Sequence, residues 1–218
     1  MRKGILPGES KILSVLRAWY MVGIVGFTLP FTHNLFRFLT PFSLLLLVTV
    51  FFLYHTKRDS KFWLLMIFIF LAGFGVELAG VYTGKIFGVY EYGRTLGPKV
   101  AGVPVIIGVN WVIMVYGGLA LASLTGLGRI LVSLLAALIM TASDFFIEIF
   151  AVMSDMWSWQ NSEPPLQNYI SWFVISFLFC LLAYPSLAGE KRKVAIHGYL
   201  YQLAFFAILI AIHKLFWQ

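Results

Sequence analysis

Long apolar stretches separated by short polar ones make up most of the chain. Seven of these stretches reach about 20 residues, the length that an α-helix needs to cross a hydrocarbon layer about 30 Å thick. The predicted spans are about 12–32, 36–55, 61–83, 102–124, 129–153, 168–187 and 196–216. The pattern predicts an all-α, polytopic membrane bundle of about seven transmembrane helices, with residues 1–218 forming a single domain.

Composition supports the membrane prediction and excludes other classes. Of the 218 residues, 61% are hydrophobic and 11% are charged, whereas soluble domains average about 25% charged residues. The formal net charge is +7, but the basic residues cluster at the ends of apolar stretches, so nucleic acid is not an expected partner. Cys180 is the single cysteine and the four histidines are scattered. We therefore expect no disulfide and no metal.

The basic residues also predict an orientation. We call the membrane face that carries the N-terminus face A and the opposite one face B. Eleven cations fall on face A: Arg2, Lys3, Lys11, Arg17, Lys57, Arg58, Lys61, Arg129, Lys191, Arg192 and Lys193. Five fall on face B: Arg37, Lys85, Arg94, Lys99 and Lys214. Because Lys and Arg favour the cytoplasmic side, the N-terminus is expected inside, in the inner (cytoplasmic) membrane of a cell.

Three of the nine acids, Glu77, Asp144 and Glu148, fall inside predicted spans. An acid at mid-membrane costs about 2.5–3.5 kcal/mol on insertion scales, so such residues are functional by default. At 1.5 Å per residue, the three acids lie about 22–28 Å from face A, and Asn110 lies about 12–13 Å from face B. All four side chains are thus expected at a similar level, on helices that can meet.

The directions of these side chains agree with their depth. Asp144 and Glu148 are four residues apart and project from one side of their helix. Glu77 lies on a stripe of small residues formed by Gly73, Gly80 and Gly84, which lets helices approach closely. Burial and mutual repulsion favour a neutral acid, so at least one is expected to donate a proton while an ionised neighbour handles water. Alternatively, any one of them is a structural hydrogen-bonding group.

Aromatic and amide residues near the acids are candidates for substrate binding. They are Tyr82, Phe87, Tyr90, Tyr92, Trp111, Trp157, Trp159, Gln167, Asn168 and Trp172. The aromatic ones either form an interfacial belt or line a pocket that holds a polyene and stabilises a developing cation. Gln167 and Asn168, in "PPLQN" at 164–168, either end a loop or hydrogen-bond an acid or a water molecule.

Two stretches resemble the bacterial and archaeal carotenoid biosynthesis family of membrane hydratases. The first is "GVELAGVYTGKIFGVYEYGRTLGPKVAGVP" at 75–104, which contains the acid, the glycines and the tyrosines in the family's pattern. The second is "SDFFIEIFAVMSDMWSWQNSEPPLQNYISW" at 143–172, with a similar acid pair, W-x-W segment and P-L-Q-N segment. So many fixed positions make the resemblance specific over about residues 73–173, and the flanks resemble the family only in being hydrophobic.

The resemblance implies hydration of the terminal C1′=C2′ double bond of an acyclic carotenoid end, giving a tertiary 1′-hydroxy carotenoid. A lycopene-like or monocyclic carotene would be the substrate, membrane lipid the surroundings, and no cofactor would be needed. Asp144 or Glu77 is expected to donate the proton, with Glu148 and Asn110 handling water. Two alternatives remain: a non-catalytic carotenoid- or lipid-binding membrane subunit, and a proton-coupled transporter that uses the intramembrane carboxylates.

Overall fold

The computed structural model describes residues 6–189 and 193–216. Arg2, Lys3, Lys191 and Arg192, counted above on face A, lie outside these ranges. The helices are α1 (Glu9–Thr28), α2 (His33–Tyr54), α3 (Ser60–Thr83), α4 (Ile106–Ala122), α5 (Arg129–Met153), α6 (Leu166–Leu187) and α7 (Lys193–Phe216). All seven of these described helices are long and apolar enough to cross a membrane. The predicted all-α membrane fold is confirmed.

The two largest differences from the predicted spans, each of four residues, have local reasons. The first helix ends at Thr28, because the residue that precedes a proline, here Leu29 before Pro30, disfavours helical backbone. The fourth helix begins at Ile106 and not at 102. The preceding residues form a tight hairpin of β2 (Lys99–Val100) and β3 (Val103–Pro104), whose two turn residues have positive φ angles of 48° and 83°. Positive φ at both positions matches the tight turns typical of hairpins.

Helix α4 forms the centre of the bundle. Nearly all its positions are buried, and it packs against α2, α3, α5, α6 and α7. The other helices expose large apolar side chains on one side, as expected where a helix faces lipid. A helix that is apolar all round belongs inside such a bundle. The position of α4 places Asn110, near its face B end, in the interior.

The two longer connections on face B pair with each other. Strand β1 (Tyr90–Tyr92) runs antiparallel to β4 (Trp157–Trp159), with Tyr90 opposite Trp159 and Tyr92 opposite Trp157. Successive side chains of a strand point to opposite sides, so the aromatic side chains of this pair turn towards the bundle, while Glu91 is exposed. We call Tyr90, Tyr92, Trp157 and Trp159 together the aromatic lid.

An arginine on α2 holds the lid to the helices. Arg37 forms an ion pair with Asp155, with 2.8 Å between Nη2 and Oδ2, and its Nε donates to Thr95 Oγ1 at 3.2 Å. Thr95 Oγ1 in turn donates to the carbonyl oxygen of Ser154 at 2.6 Å. One side chain therefore ties α2 to both connections that carry the lid.

Candidate active site

The three intramembrane acids surround one small cavity beneath the aromatic lid. Glu77, Asp144 and Glu148 are only 5%, 1% and 4% exposed, and all three line a cavity of about 20 Å³. The other lining residues are Phe87, Tyr90, Tyr92, Ile107, Asn110, Ile147, Trp157, Trp159, Asn168 and Trp172. Three carboxyl groups from two helices, α3 and α5, thus meet in one aromatic enclosure.

Glu77 is surrounded by hydrogen-bond donors. Its Oε2 accepts from the hydroxyls of Tyr90 at 2.6 Å and Tyr92 at 2.7 Å, and its Oε1 accepts from Trp111 Nε1 at 3.0 Å. Burial and the neighbouring Glu77 carboxylate raise the pKa of both phenols, so both tyrosines keep the proton that they donate. Glu77 therefore has the surroundings of an ionised carboxylate that anchors the β1 side of the lid.

Glu148 accepts hydrogen bonds from the β4 strand of the aromatic lid. Its Oε2 accepts from Trp157 Nε1 at 2.8 Å and from Trp159 Nε1 at 2.7 Å. Its Oε1 accepts from the Asn168 amide at 3.3 Å. Like Glu77, Glu148 is matched to three N–H or O–H donors. This is the pattern that stabilises a carboxylate in a dry site.

Asp144 differs from both glutamates. Its Oδ2 accepts from Asn168 Nδ2 at 3.0 Å, while its buried Oδ1 has no hydrogen-bond partner among the described residues. A buried polar atom without a partner is costly and calls for an explanation. A proton on Oδ1, available to a bound molecule, would supply one. The shared Asn168 amide also bridges Asp144 and Glu148.

Aromatic rings form the remaining walls. Trp111 and Trp172 stack with 4.2 Å between their ring centroids and 12° between their planes, and Trp172 faces the cavity. In the lid, the ring centroids of Tyr90 and Trp159 lie 5.0 Å apart. The negative faces of such rings attract a nearby cation. Positive charge that develops beside the cavity would therefore be stabilised by these rings.

Most, but not all, of the predicted site residues come together. Asn110 lines the cavity, and Trp111 lies directly behind its wall, in contact with Glu77. Tyr82 is instead 73% exposed on the outer side of α3. Gln167 is exposed, and its amide donates to the carbonyl oxygen of Lys85, which links α6 to the loop after α3. The structure thus brings Asn168 to the acids and leaves Tyr82 and Gln167 away from them.

Sequence reasoning missed the pairing that aims the lid residues, and it missed two apolar lining residues, Ile107 and Ile147. A signal for the pairing exists in the alternating patterns "YEY" and "WSW", which are typical of strands with one buried side. Neither pattern, however, indicates which other segment of the chain it pairs with. No polar signal marks the two isoleucines, since isoleucine is common throughout the spans.

Removing one phenol from the site should destabilise the protein. We expect Tyr92→Phe to lower the free energy of unfolding by about 1–2 kcal/mol, because the buried Glu77 loses a hydrogen bond that phenylalanine cannot replace. Thermal unfolding in detergent measures the effect. Tyr82→Phe is the matched control, since Tyr82 is 73% exposed, and it should leave the melting temperature unchanged. Equal melting temperatures for both variants would contradict the anchoring role of Tyr92.

A protein-family model matches most of the chain, including the region that carries the site. The family model described as "Carotenoid biosynthesis protein" matches residues 39–218, which include α3 to α7 and every residue that lines the acid cavity. No curated protein and no solved structure matches the chain. With its seven membrane-spanning helices, the chain is a multi-pass membrane protein that belongs to the carotenoid biosynthesis protein family.

Proposed function

We propose that the protein hydrates the terminal C1′=C2′ double bond of an acyclic carotenoid end, as a carotenoid 1′,2′-hydratase. The observation that carries the proposal is the convergence of Glu77, Asp144 and Glu148 on one cavity with aromatic walls. Adding water to an unactivated alkene requires a proton donor, stabilisation of a carbocation, and a group that takes a proton from water. The family membership supports a carotenoid as the molecule acted upon.

The first step is protonation of the alkene. The π electrons of C1′=C2′ form a bond from C2′ to the acidic hydrogen of Asp144, and the O–H electron pair stays on its carboxylate. C1′ then becomes a tertiary cation, which is more stable than the secondary cation that protonation at C1′ would give. The geometry favours Asp144 as donor because its Oδ1 has no partner among the described residues, whereas Glu77 and Glu148 each accept from three donors.

The cation at C1′ meets two kinds of stabilisation. Trp172 and the lid residues line the cavity, and a desolvated contact between a cation and the face of such a ring contributes about 2 kcal/mol. Glu77 and Glu148 add negative charge that is fixed in place by their hydrogen bonds. Charges preorganised in a water-poor site stabilise a transition state more effectively than solvent does, because they need no reorientation.

Water addition completes the reaction. The oxygen of one water molecule bonds to C1′, and the extra proton passes to the Glu148 carboxylate, with the amides of Asn110 and Asn168 orienting the water. A later transfer from Glu148 to Asp144, which share the Asn168 amide, restores the starting state. The cavity of about 20 Å³ suits this step, since about 10–15 Å³ is enough for one water molecule.

A product analysis tests the function. In cells that accumulate lycopene or a monocyclic carotene, expression of the protein should yield a tertiary alcohol that is heavier than the substrate by one water molecule. With purified membranes in ¹⁸O-labelled water, the label should appear in the new hydroxyl group. Absence of the alcohol, with the protein inserted in the membrane, would refute the proposal. Unchanged pigment that co-purifies would instead indicate a binding subunit, and acid-dependent flux in liposomes a transporter.

A further inference from the structure

A second, larger cavity adjoins the acid cavity. Its volume is about 180 Å³, and four residues line both cavities: Ile107, Asn110, Ile147 and Trp157. Its remaining walls come mainly from apolar and aromatic residues of α1, α2 and α7. The two cavities are therefore neighbours that share a wall, the smaller one polar and the larger one apolar.

The larger cavity extends from the level of the acids towards the middle of the membrane. Gln202, which lines it, lies nine residues after the start of α7 at Lys193, or about 14 Å from face A at 1.5 Å per residue. Asp144 lies about 22 Å from the same face by the same measure. Part of the cavity lining therefore lies about 8 Å nearer to face A than Asp144 does.

One edge of this cavity reaches the outside of the bundle. Trp19 and Val22 of α1 both line it and are 40% and 58% exposed. At the same edge, Trp19 Nε1 donates to Ser43 Oγ of α2 at 3.2 Å, and Ser43 is also a lining residue. A single hydrogen bond therefore spans the seam between α1 and α2 where the cavity meets the lipid-facing surface.

We propose that this cavity is a tail channel: it binds the acyclic isoprenoid chain next to the reacting double bond, and the substrate enters it from lipid between α1 and α2. The inference rests on the proposed function. The wall shared with the acid cavity and the apolar lining favour a hydrocarbon. A cavity of about 150 Å³ holds one benzene molecule, so this one, at about 180 Å³, accommodates a fragment of about seven carbons. The rest of the carotenoid extends through the mouth at Trp19 and Ser43 into the bilayer.

Photo-crosslinking tests the channel without depending on turnover. The probe is an acyclic carotenoid analogue that carries a diazirine several carbons behind its terminal double bond, added to the full chain in membranes. We expect the label on lining residues of α1 and α2, with loss of labelling when unlabelled lycopene is added in excess. Asp144→Asn should label like the unaltered protein. Label confined to residues outside the cavity, or label that added phospholipid removes and lycopene does not, would overturn the proposal.

A matched pair of substitutions connects the channel to activity. Ser43→Trp fills the mouth, and we expect it to abolish channel labelling and to lower hydration about 100-fold, the loss that a misplaced substrate can cause. Leu45→Trp adds the same side chain on the same helix, at a position that is 44% exposed and outside the cavity lining. It should change neither the channel labelling nor the hydration rate. Full hydration by Ser43→Trp would overturn the channel and leave the hydratase intact. Channel labelling without any hydrated product would refute the hydratase and leave the channel intact.

Discussion

Replacing Asp144 with asparagine is expected to lower the rate of carotenoid hydration by about 10²–10⁴-fold, the usual contribution of a general acid. Asparagine has nearly the same shape and keeps an oxygen that accepts from the Asn168 amide, but it cannot give up a proton on the scale of turnover. The expected result is therefore a folded protein with little activity. Product formed per unit of protein in membranes, measured by chromatography, gives the rate, and the melting temperature shows whether the fold persists.

Asp155→Asn provides the control for this experiment. Asp155 is also an acid on the face B side, but its side chain is 54% exposed and pairs with Arg37. Exposed ion pairs contribute about 0–1 kcal/mol, so this variant should keep most of its activity. Full activity in Asp144→Asn would contradict the role of Asp144 as proton donor. If Glu77→Gln then lost activity without losing stability, the donor would be Glu77.

The hydrogen bonds give the two other acids different roles from that of Asp144. Glu77 and Glu148 each hold one strand of the lid, through two tyrosines and two tryptophans respectively. Removing either carboxylate would leave aromatic donors unpaired beneath the lid as well as removing charge from the site. Stability and activity should therefore fall together in their variants, whereas in Asp144→Asn activity alone should fall.

The level and direction of the acids were predictable because a helix is regular. A rise of 1.5 Å per residue fixed the depths of Glu77, Asp144 and Glu148, and the glycine stripe indicated which side of α3 faces inward. The structure buries all three acids against one cavity. Both inferences needed only the position of a residue within its own helix, and such information is local in the sequence.

The aromatic lid was not predictable to the same extent, because it depends on pairing between distant segments. Residues 90–92 and 157–159 pair with each other although α4 and α5 separate them in the sequence. Periodicity also changes at the end of α3: Tyr82 still follows the helix and points outward, whereas Tyr90 and Tyr92 alternate as in a strand and point inward. Closeness to Glu77 in the sequence therefore could not distinguish the outward-facing Tyr82 from the inward-facing Tyr90 and Tyr92.

No pattern in the sequence predicts the tail channel. Its lining comes from five helices, and most of it is apolar, like the lipid-facing residues of the same helices. Hydrophobicity distinguishes a membrane interior from water but not a protein cavity from lipid. Only the arrangement of α1, α2 and α7 around the face B half of α4 reveals the space.

The glycine stripe on α3 gives the second prediction with a large expected effect. A Cβ atom at Gly73 would lie 2.6 Å from Cγ of Trp111 and 2.7 Å from its Cβ, far inside normal contact. These atoms are close to the α4 backbone, so the indole cannot simply rotate away. Gly73→Ala must push α3 and α4 apart or displace Trp111, which donates to Glu77 and stacks on Trp172.

We therefore expect Gly73→Ala to lower the free energy of unfolding by about 1–3 kcal/mol, the usual cost of overpacking a core, and to reduce hydration in parallel. Gly75→Ala, two residues away on the same helix, meets nothing within 4 Å and should be neutral or slightly stabilising, because alanine favours helix over glycine. Thermal unfolding and product formation, measured on both variants, give the comparison. Equal stability of the two variants would show that α3 and α4 do not need this close approach. Loss of stability and activity in Gly73→Ala alone would show that Trp111 needs the space left by Gly73, one helical turn from Glu77, to reach its position beside that acid.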